Sequence, residues 1–359
     1  MTKPKSAFDA VQNNFDFLRF TLASLVILSH TWPLNRGHDA PDPLGLLIKG
    51  RSLGEVAVDG FFVISGFLIS GSWFRCDGAI PFLKKRVLRI YPAFIVLMIV
   101  QAFLIAPYFT EGPIQPYTMR QLALIVGETI DLVGYGYPYG GLYWPFRYNP
   151  IPDLNSAIWT IRYEFVCYVL VALLGVVGLM KRARVILVLF VLSLFAHATK
   201  LTLPSSKVLT AVIGASCYWP RLLTYFLAGS TFYLFRQRIP YSGVLAATSG
   251  AMLLVGVLIP GFFDLFLPTF GTYLLFWFAV QAGALNHFGR FGDFSYGMYL
   301  YGFPMQQIIV SVVGVSVLLP VQFLCSWVAA IACGFASWNL VECRFLSRNR
   351  SRVGSSLPV

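Results

Sequence analysis

Apolar residues run along this chain in long blocks separated by polar and charged clusters. The blocks predict helices near 15–34, 56–74, 91–109, 156–180, 185–203, 217–235, 241–259, 264–285, 294–314 and 318–340. Each is close to the roughly 20 residues a helix needs to cross the hydrocarbon core of a bilayer. An eleventh segment, 118–135, is also helical in pattern but carries Glu128 and Asp131. Two hydrophilic connections stand out, the Pro/Gly-rich stretch 35–54 and the aromatic, turn-rich stretch 136–155.

The basic clusters decide how these blocks cross. With Lys3 and Lys5 on the cytoplasmic side, the cluster Arg75, Lys84, Lys85, Arg86 and Arg89 follows two crossings and is also cytoplasmic. The next cluster, Lys181, Arg182 and Arg184, shares that side only if two crossings lie between them, so 118–135 does not count as a span. The same parity keeps Arg236, Arg238, Arg290 and the basic C-terminal segment inside. The expected fold is therefore an all-α integral membrane protein of about ten transmembrane helices. One interfacial or re-entrant helix lies on the outer face, and both termini are cytoplasmic.

Composition agrees: 57% of residues are hydrophobic and 12% charged, against about one-quarter charged in soluble domains. No stretch reads as a soluble module, so residues 1–359 form one membrane domain with short tails at 1–14 and 341–359. The net charge of +12 sits in clusters beside apolar blocks rather than on a nucleic-acid-binding face. The four histidines lack metal-ligand spacing and no metal is expected. No CxxC pair occurs, and Cys325 and Cys333 would lie about 12 Å apart on one helix, too far for a disulfide. The first block is not a cleavable signal, because it carries Asp16, Arg19 and His30 and ends in Trp-Pro.

Arg19 and His30 are the chemistry-bearing pair of that block. Eleven helical steps bring them to within about 20° of one stripe, roughly 16 Å apart along the axis. Buried cations are costly, and such residues usually face a bundle interior or a wet cavity. His30 reads as a general base or nucleophile, or as a buried polar residue bonded to a neighbouring helix. Asp16, three residues before Arg19, can offset its charge. An imidazole base needs an acceptor on its other nitrogen. Glu164 is the first candidate and Asp59 the second, with Glu55 and Asp16 behind them; a salt bridge from Glu164 to Arg162 or Arg19 is the alternative. Ser65 and Gly66 fit close helix packing better than a nucleophile site.

Five sequence blocks resemble, in order, those of the acyltransferase-3 family of membrane acyltransferases. They are Arg19 with His30 after ten intervening residues; Val58-Asp-Gly-Phe-Phe-Val-Ile-Ser-Gly-Phe-Leu-Ile-Ser70; Arg86-Val-Leu-Arg89-Ile-Tyr-Pro92; Trp159-Thr-Ile-Arg-Tyr-Glu164; and Phe294-Ser-Tyr-Gly-Met-Tyr-Leu-Tyr-Gly-Phe-Pro304. Val341-Glu342 fits the family's usual ending. No soluble domain follows the last block, so acceptor recognition is expected within the membrane domain.

The resemblance implies transfer of an acyl group, most often acetyl, from a cytoplasmic acyl-CoA to a hydroxyl of an exported glycan or lipid-linked saccharide. The setting it implies is the bacterial cytoplasmic (inner) membrane. Catalytic roles would fall to His30, Arg19, Glu164 and Asp59. Arg86 and Arg89, one turn apart, with Lys85 and Arg19, would hold the polyanionic donor, or the loop arginines only enforce orientation. Trp159, Trp144, Tyr143, Tyr296 and Tyr299 are expected to contact substrate. For the aromatics of 136–148, including Tyr137 and Tyr139, a membrane belt competes with a sugar-stacking platform; for Tyr296 and Tyr299, core packing competes. The rival to an enzyme is a transporter or glycan flippase whose buried Asp16, Arg19, His30, Asp59 and Glu164 form an ion pathway.

Overall fold

The computed structural model describes Phe8 and residues 13–133, 143–201, 204 and 206–346. Among these residues the chain is helical throughout, with no strand. In order run α1 (Phe15–Arg36), α2 (Pro43–Leu47), α3 (Leu53–Trp73), α4 (Ala79–Tyr108), α5 (Met119–Ile130), α6 (Thr160–Val176) and α7 (Ala183–Ala198). They are followed by α8 (Lys207–Ile213), α9 (Trp219–Phe235), α10 (Gly243–Leu258), α11 (Phe263–Ala279), α12 (Ser295–Val313) and α13 (Leu319–Leu346). A π turn at Gln101–Ile105 carries α4 on past Val100.

Four of these, α1, α3, α4 and α13, are long and apolar enough to cross a membrane. A fifth follows if α11 and the turn Ala284–Arg290, bent by 82°, are taken as one broken span. The ten full-length spans expected from hydropathy are thus not all reached. Helices α6 and α9 have 17 residues each and α7 and α10 have 16, a rise of only about 24–26 Å. Helix α12 is long enough, but its tyrosines, Gln306 and Gln307 dilute its apolar character. Helix α5 falls in the 118–135 segment. At 12 residues it rises about 18 Å, short of the roughly 30 Å core.

Helix α3 is the hub, packed against α1, α6 and α9. Its contact with α9 is backbone to backbone. A Cβ on Gly66 would lie 1.9 Å from the carbonyl oxygen of Phe226, and one on Gly229 would lie 1.9 Å from that of Val63. Only glycine permits this crossing, the small-residue logic of helix pairs in lipid. Helix α12 packs on α13, and α1 runs against both. Outer helices expose Ile99 and Phe103 of α4, Val191 and Phe195 of α7, Leu254 and Leu258 of α10 and Val328 of α13. An apolar exterior of this kind suits lipid rather than water. The molecule is an integral membrane protein.

The N-terminus of α3 is set by a reciprocal cap. Ser52 Oγ accepts from Glu55 N–H, and Glu55 Oε2 accepts from Ser52 N–H, each at 3.1 Å. Before it, Asp42 caps the short α2, whose first residue is Pro43. Asp42 Oδ1 accepts from the N–H groups of Leu44 and Gly45, and Oδ2 accepts from Ser29 Oγ of α1 at 2.5 Å and Leu53 N at 2.6 Å. One carboxylate thus joins α1, α2 and the start of α3, fixing the loop over the His30 end of α1.

Candidate active site

Two cavities open around α3. The larger, about 950 Å³, is lined by Arg19, Lys85, Arg86 and Arg89 together with Asp16, Glu164 and Asp293. The smaller, about 580 Å³, is lined by His30, His38, Trp159, Lys49, Arg51 and Arg221 with Asp39, Asp42 and Glu55. Val58 and Tyr299 line both. Helix α1 therefore presents Arg19 to one cavity and His30 to the other, as one straight stripe of a continuous helix must when its two polar positions are about three turns apart.

In the arginine cavity, Arg19 makes the expected pair with Asp16 at 3.4 Å, but its shorter bond, 2.9 Å, goes to Asp293. The same Asp293 oxygen accepts from Arg89 Nη2 at 2.6 Å, and its other oxygen accepts from Ser295 Oγ at 2.7 Å. Burial pushes the Asp293 carboxyl up, yet the guanidinium groups of Arg89 and Arg19 and the Ser295 hydroxyl hold it at about 2. Arg89 also bonds Glu342 at 3.2 Å and lies over the ring of Tyr296. Arg86 donates to Ser72 Oγ at 3.2 Å and stands over the rings of Tyr168 and Phe82. Lys85 Nζ lies 3.4 Å from Cys76 Sγ. Arg86 and Arg89, a turn apart on α4, thus share one cavity with Arg19 and Lys85.

The expected carboxylate partner of His30 is not found in Glu164 or Asp59. Glu164 Oε1 accepts from Ser65 Oγ at 2.9 Å and Tyr168 Oη at 2.5 Å, on the arginine-cavity side. Asp59, 1% exposed, is held between Arg51 at 3.1 Å and Arg221 at 2.8 Å. Neither does Glu164 bridge to Arg162, which donates to the carbonyl of Ala211. The His30 ring instead packs edge-on against Phe303, with centroids 5.2 Å apart, and faces the charge of Asp42. Glu55 bonds Arg221 at 2.5 Å, and Asp264 reaches Arg51 at 2.8 Å.

Of the expected substrate contacts, Trp159 lines the histidine cavity, Tyr296 the arginine cavity and Tyr299 both. Tyr143 and Trp144 line neither; Tyr143 donates to the carbonyl of Gln115, and Trp144, half-exposed, lies beneath Arg147. Tyr137 and Tyr139 lie outside the described residues. Sequence reasoning missed Asp42, Arg51, Arg221, Asp293 and Glu342 as network members. Asp293 sits directly before the Phe294–Pro304 block, and Asp42 carries an N-cap signal in Asp42-Pro43. Arg221 carries no local signal, because its partners Glu55 and Asp59 lie on another helix; Arg51 has Glu55 and Asp59 four and eight positions on, a spacing the sequence reading did not use.

A helical bundle in lipid whose cavities present an arginine cluster and an imidazole has the makings of a membrane enzyme. The sequence model described as an acyltransferase domain, that of the acyltransferase-3 family, matches residues 12–339. The chain belongs to this family and is an acyltransferase. A protein named "O-acetyl transferase" from Shigella phage Sf6 is 29% identical over 358 residues, which cover 95% of this chain and 98% of that one. "Nodulation protein 10" of Rhizobium leguminosarum bv. viciae is 27% identical over 371 residues, covering 97% of each. No solved structure matches the chain.

Proposed function

We propose that this membrane O-acyltransferase moves an acyl group, acetyl in the first instance, from cytoplasmic acyl-CoA to a hydroxyl of an exported glycan or lipid-linked saccharide. The donor enters the arginine cavity, its phosphates on Arg86, Arg89, Lys85 and Arg19, and its pantetheine arm runs along α1 towards Val58 and Tyr299. The acceptor occupies the histidine cavity against Trp159. There its hydroxyl oxygen attacks the thioester carbonyl as a ring nitrogen of His30 takes the hydroxyl proton. The new C–O bond forms, the C–S bond breaks, and the departing thiolate takes the proton back from the imidazolium. An acyl-histidine relay would use the same residues in two steps.

One observation carries this reading: two cavities, one cationic and one bearing the imidazole, share a wall at Val58 and Tyr299. The roughly 16 Å between Arg19 and His30 suits a pantetheine arm. On this reading the arginine cavity opens to the cytoplasm of a bacterial inner membrane, about ten helices cross with the shorter ones in thinned bilayer, and both termini are cytoplasmic. The transporter alternative needs a chain of titratable groups, and Asp59 held between two guanidinium groups does not suit a proton relay.

Sidedness tests it. Radiolabelled acetyl-CoA supplied outside inverted vesicles, where the cytoplasmic face is exposed, should label glycan, and the same donor outside right-side-out vesicles should not. Equal labelling from both sides would contradict the donor placement.

A further inference from the structure

We infer that Val58 and Tyr299 form a size filter for the acyl group, passing acetyl and turning back chains of four carbons or more. The inference rests on the donor and acceptor placement proposed above. In that placement the acyl carbons begin on sulfur in the arginine cavity and finish on oxygen in the histidine cavity, so the whole acyl group crosses the shared wall. Among the described residues, only Val58 and Tyr299 belong to both cavities.

Both are buried, each 8% exposed, and both are held in place. The Tyr299 hydroxyl is bonded to Thr160 Oγ at 2.6 Å and to the carbonyl of Ala157, and its ring packs edge-on against Phe61. Swinging the ring aside would break bonds to the segment leading into α6 and to its first turn. Val58 is β-branched and stiff about χ1, and the next residue, Asp59, is clamped by Arg51 and Arg221. The clamp fixes the rotation of α3 at this level. A wall of two rigid side chains cannot stretch around a longer chain as one built of methionine would. Discrimination by a fixed apolar surface is worth about 10–200-fold per methylene.

The test compares kcat/KM for acetyl-CoA, propionyl-CoA and butyryl-CoA in inverted vesicles carrying native acceptor, for wild type, Val58→Ala and Val58→Ile. Wild type should favour acetyl. Val58→Ala should raise the butyryl-to-acetyl ratio about tenfold, the lower end of the per-methylene range. Val58→Ile adds a methyl to the passage and should slow propionyl more than acetyl transfer, which keeps the test alive if the smaller side chain unsettles the fold. An unchanged ratio in variants that still transfer, or a wild-type ratio near one, would overturn the filter and leave the donor reading standing. Absence of acyl transfer from any acyl-CoA by wild type would remove the donor reading itself, and the filter with it.

Discussion

In the histidine cavity both arginines are paired with carboxylates. Arg51 meets Asp59, Asp264 and Glu55, and Arg221 meets Asp59 and Glu55, in contacts that tie α3, α9 and α11 together. In the arginine cavity, Arg19 is paired with Asp16 and Asp293 and Arg89 with Asp293 and Glu342, whereas Arg86 meets a serine hydroxyl and two aromatic faces. The same residue type therefore does two jobs. A guanidinium paired with several carboxylates, among them the buried Asp59, anchors helices, because desolvating it is tolerable only when its partners are in place. A guanidinium with donors to spare, beside a cavity, is left with capacity for an anionic ligand. Charge in a span is read by its partners, not by its presence.

Breaking the saturated side should have the largest effect. Asp59→Ala leaves two guanidinium groups short of a buried partner and should cost about 3–5 kcal/mol of stability, read by thermal unfolding in detergent. Retention of wild-type stability would show that the clamp is not structural. Sharpening the unsaturated side should be milder and kinetic. Arg86→Lys keeps the charge but loses the planar fork and should raise the KM for acyl-CoA about tenfold with kcat little changed. A fall in kcat at constant KM would move Arg86 from donor binding to the chemistry.

Much of this was legible along the chain. The Arg19–His30 stripe, the Arg86–Arg89 turn and the Asp16–Arg19 pair depend on helical period alone, and the structure places each as that period requires. The helices themselves followed from the apolar blocks, although several proved shorter than the blocks. Thus α6 ends at Val176, where a turn takes over at Val177-Gly178, and α7 ends at Ala198, where Thr199 and Lys200 turn the chain. What stayed hidden depends on pairing between distant segments. Asp293 meets Arg89 from 204 positions away, and Arg221 meets Asp59 from 162. For the same reason Asp59 and Glu164 looked available to His30. Each is a lone carboxylate in an apolar block, and only the packed bundle reveals Arg51, Arg221, Ser65 and Tyr168 beside them. The aromatic stretch left two readings open, a membrane belt and a sugar platform, and its Tyr143 and Trp144 border neither of the two cavities around α3.

The account stands on the division of labour between the two cavities, and His30→Ala tests it most directly when donor binding and acyl transfer are measured on the same preparation. Binding of CoA should stay within about twofold of wild type, and transfer should fall by about 10²–10⁴-fold, the usual contribution of a general base. Wild-type transfer by that variant would contradict the account, and so would loss of CoA binding in a folded protein.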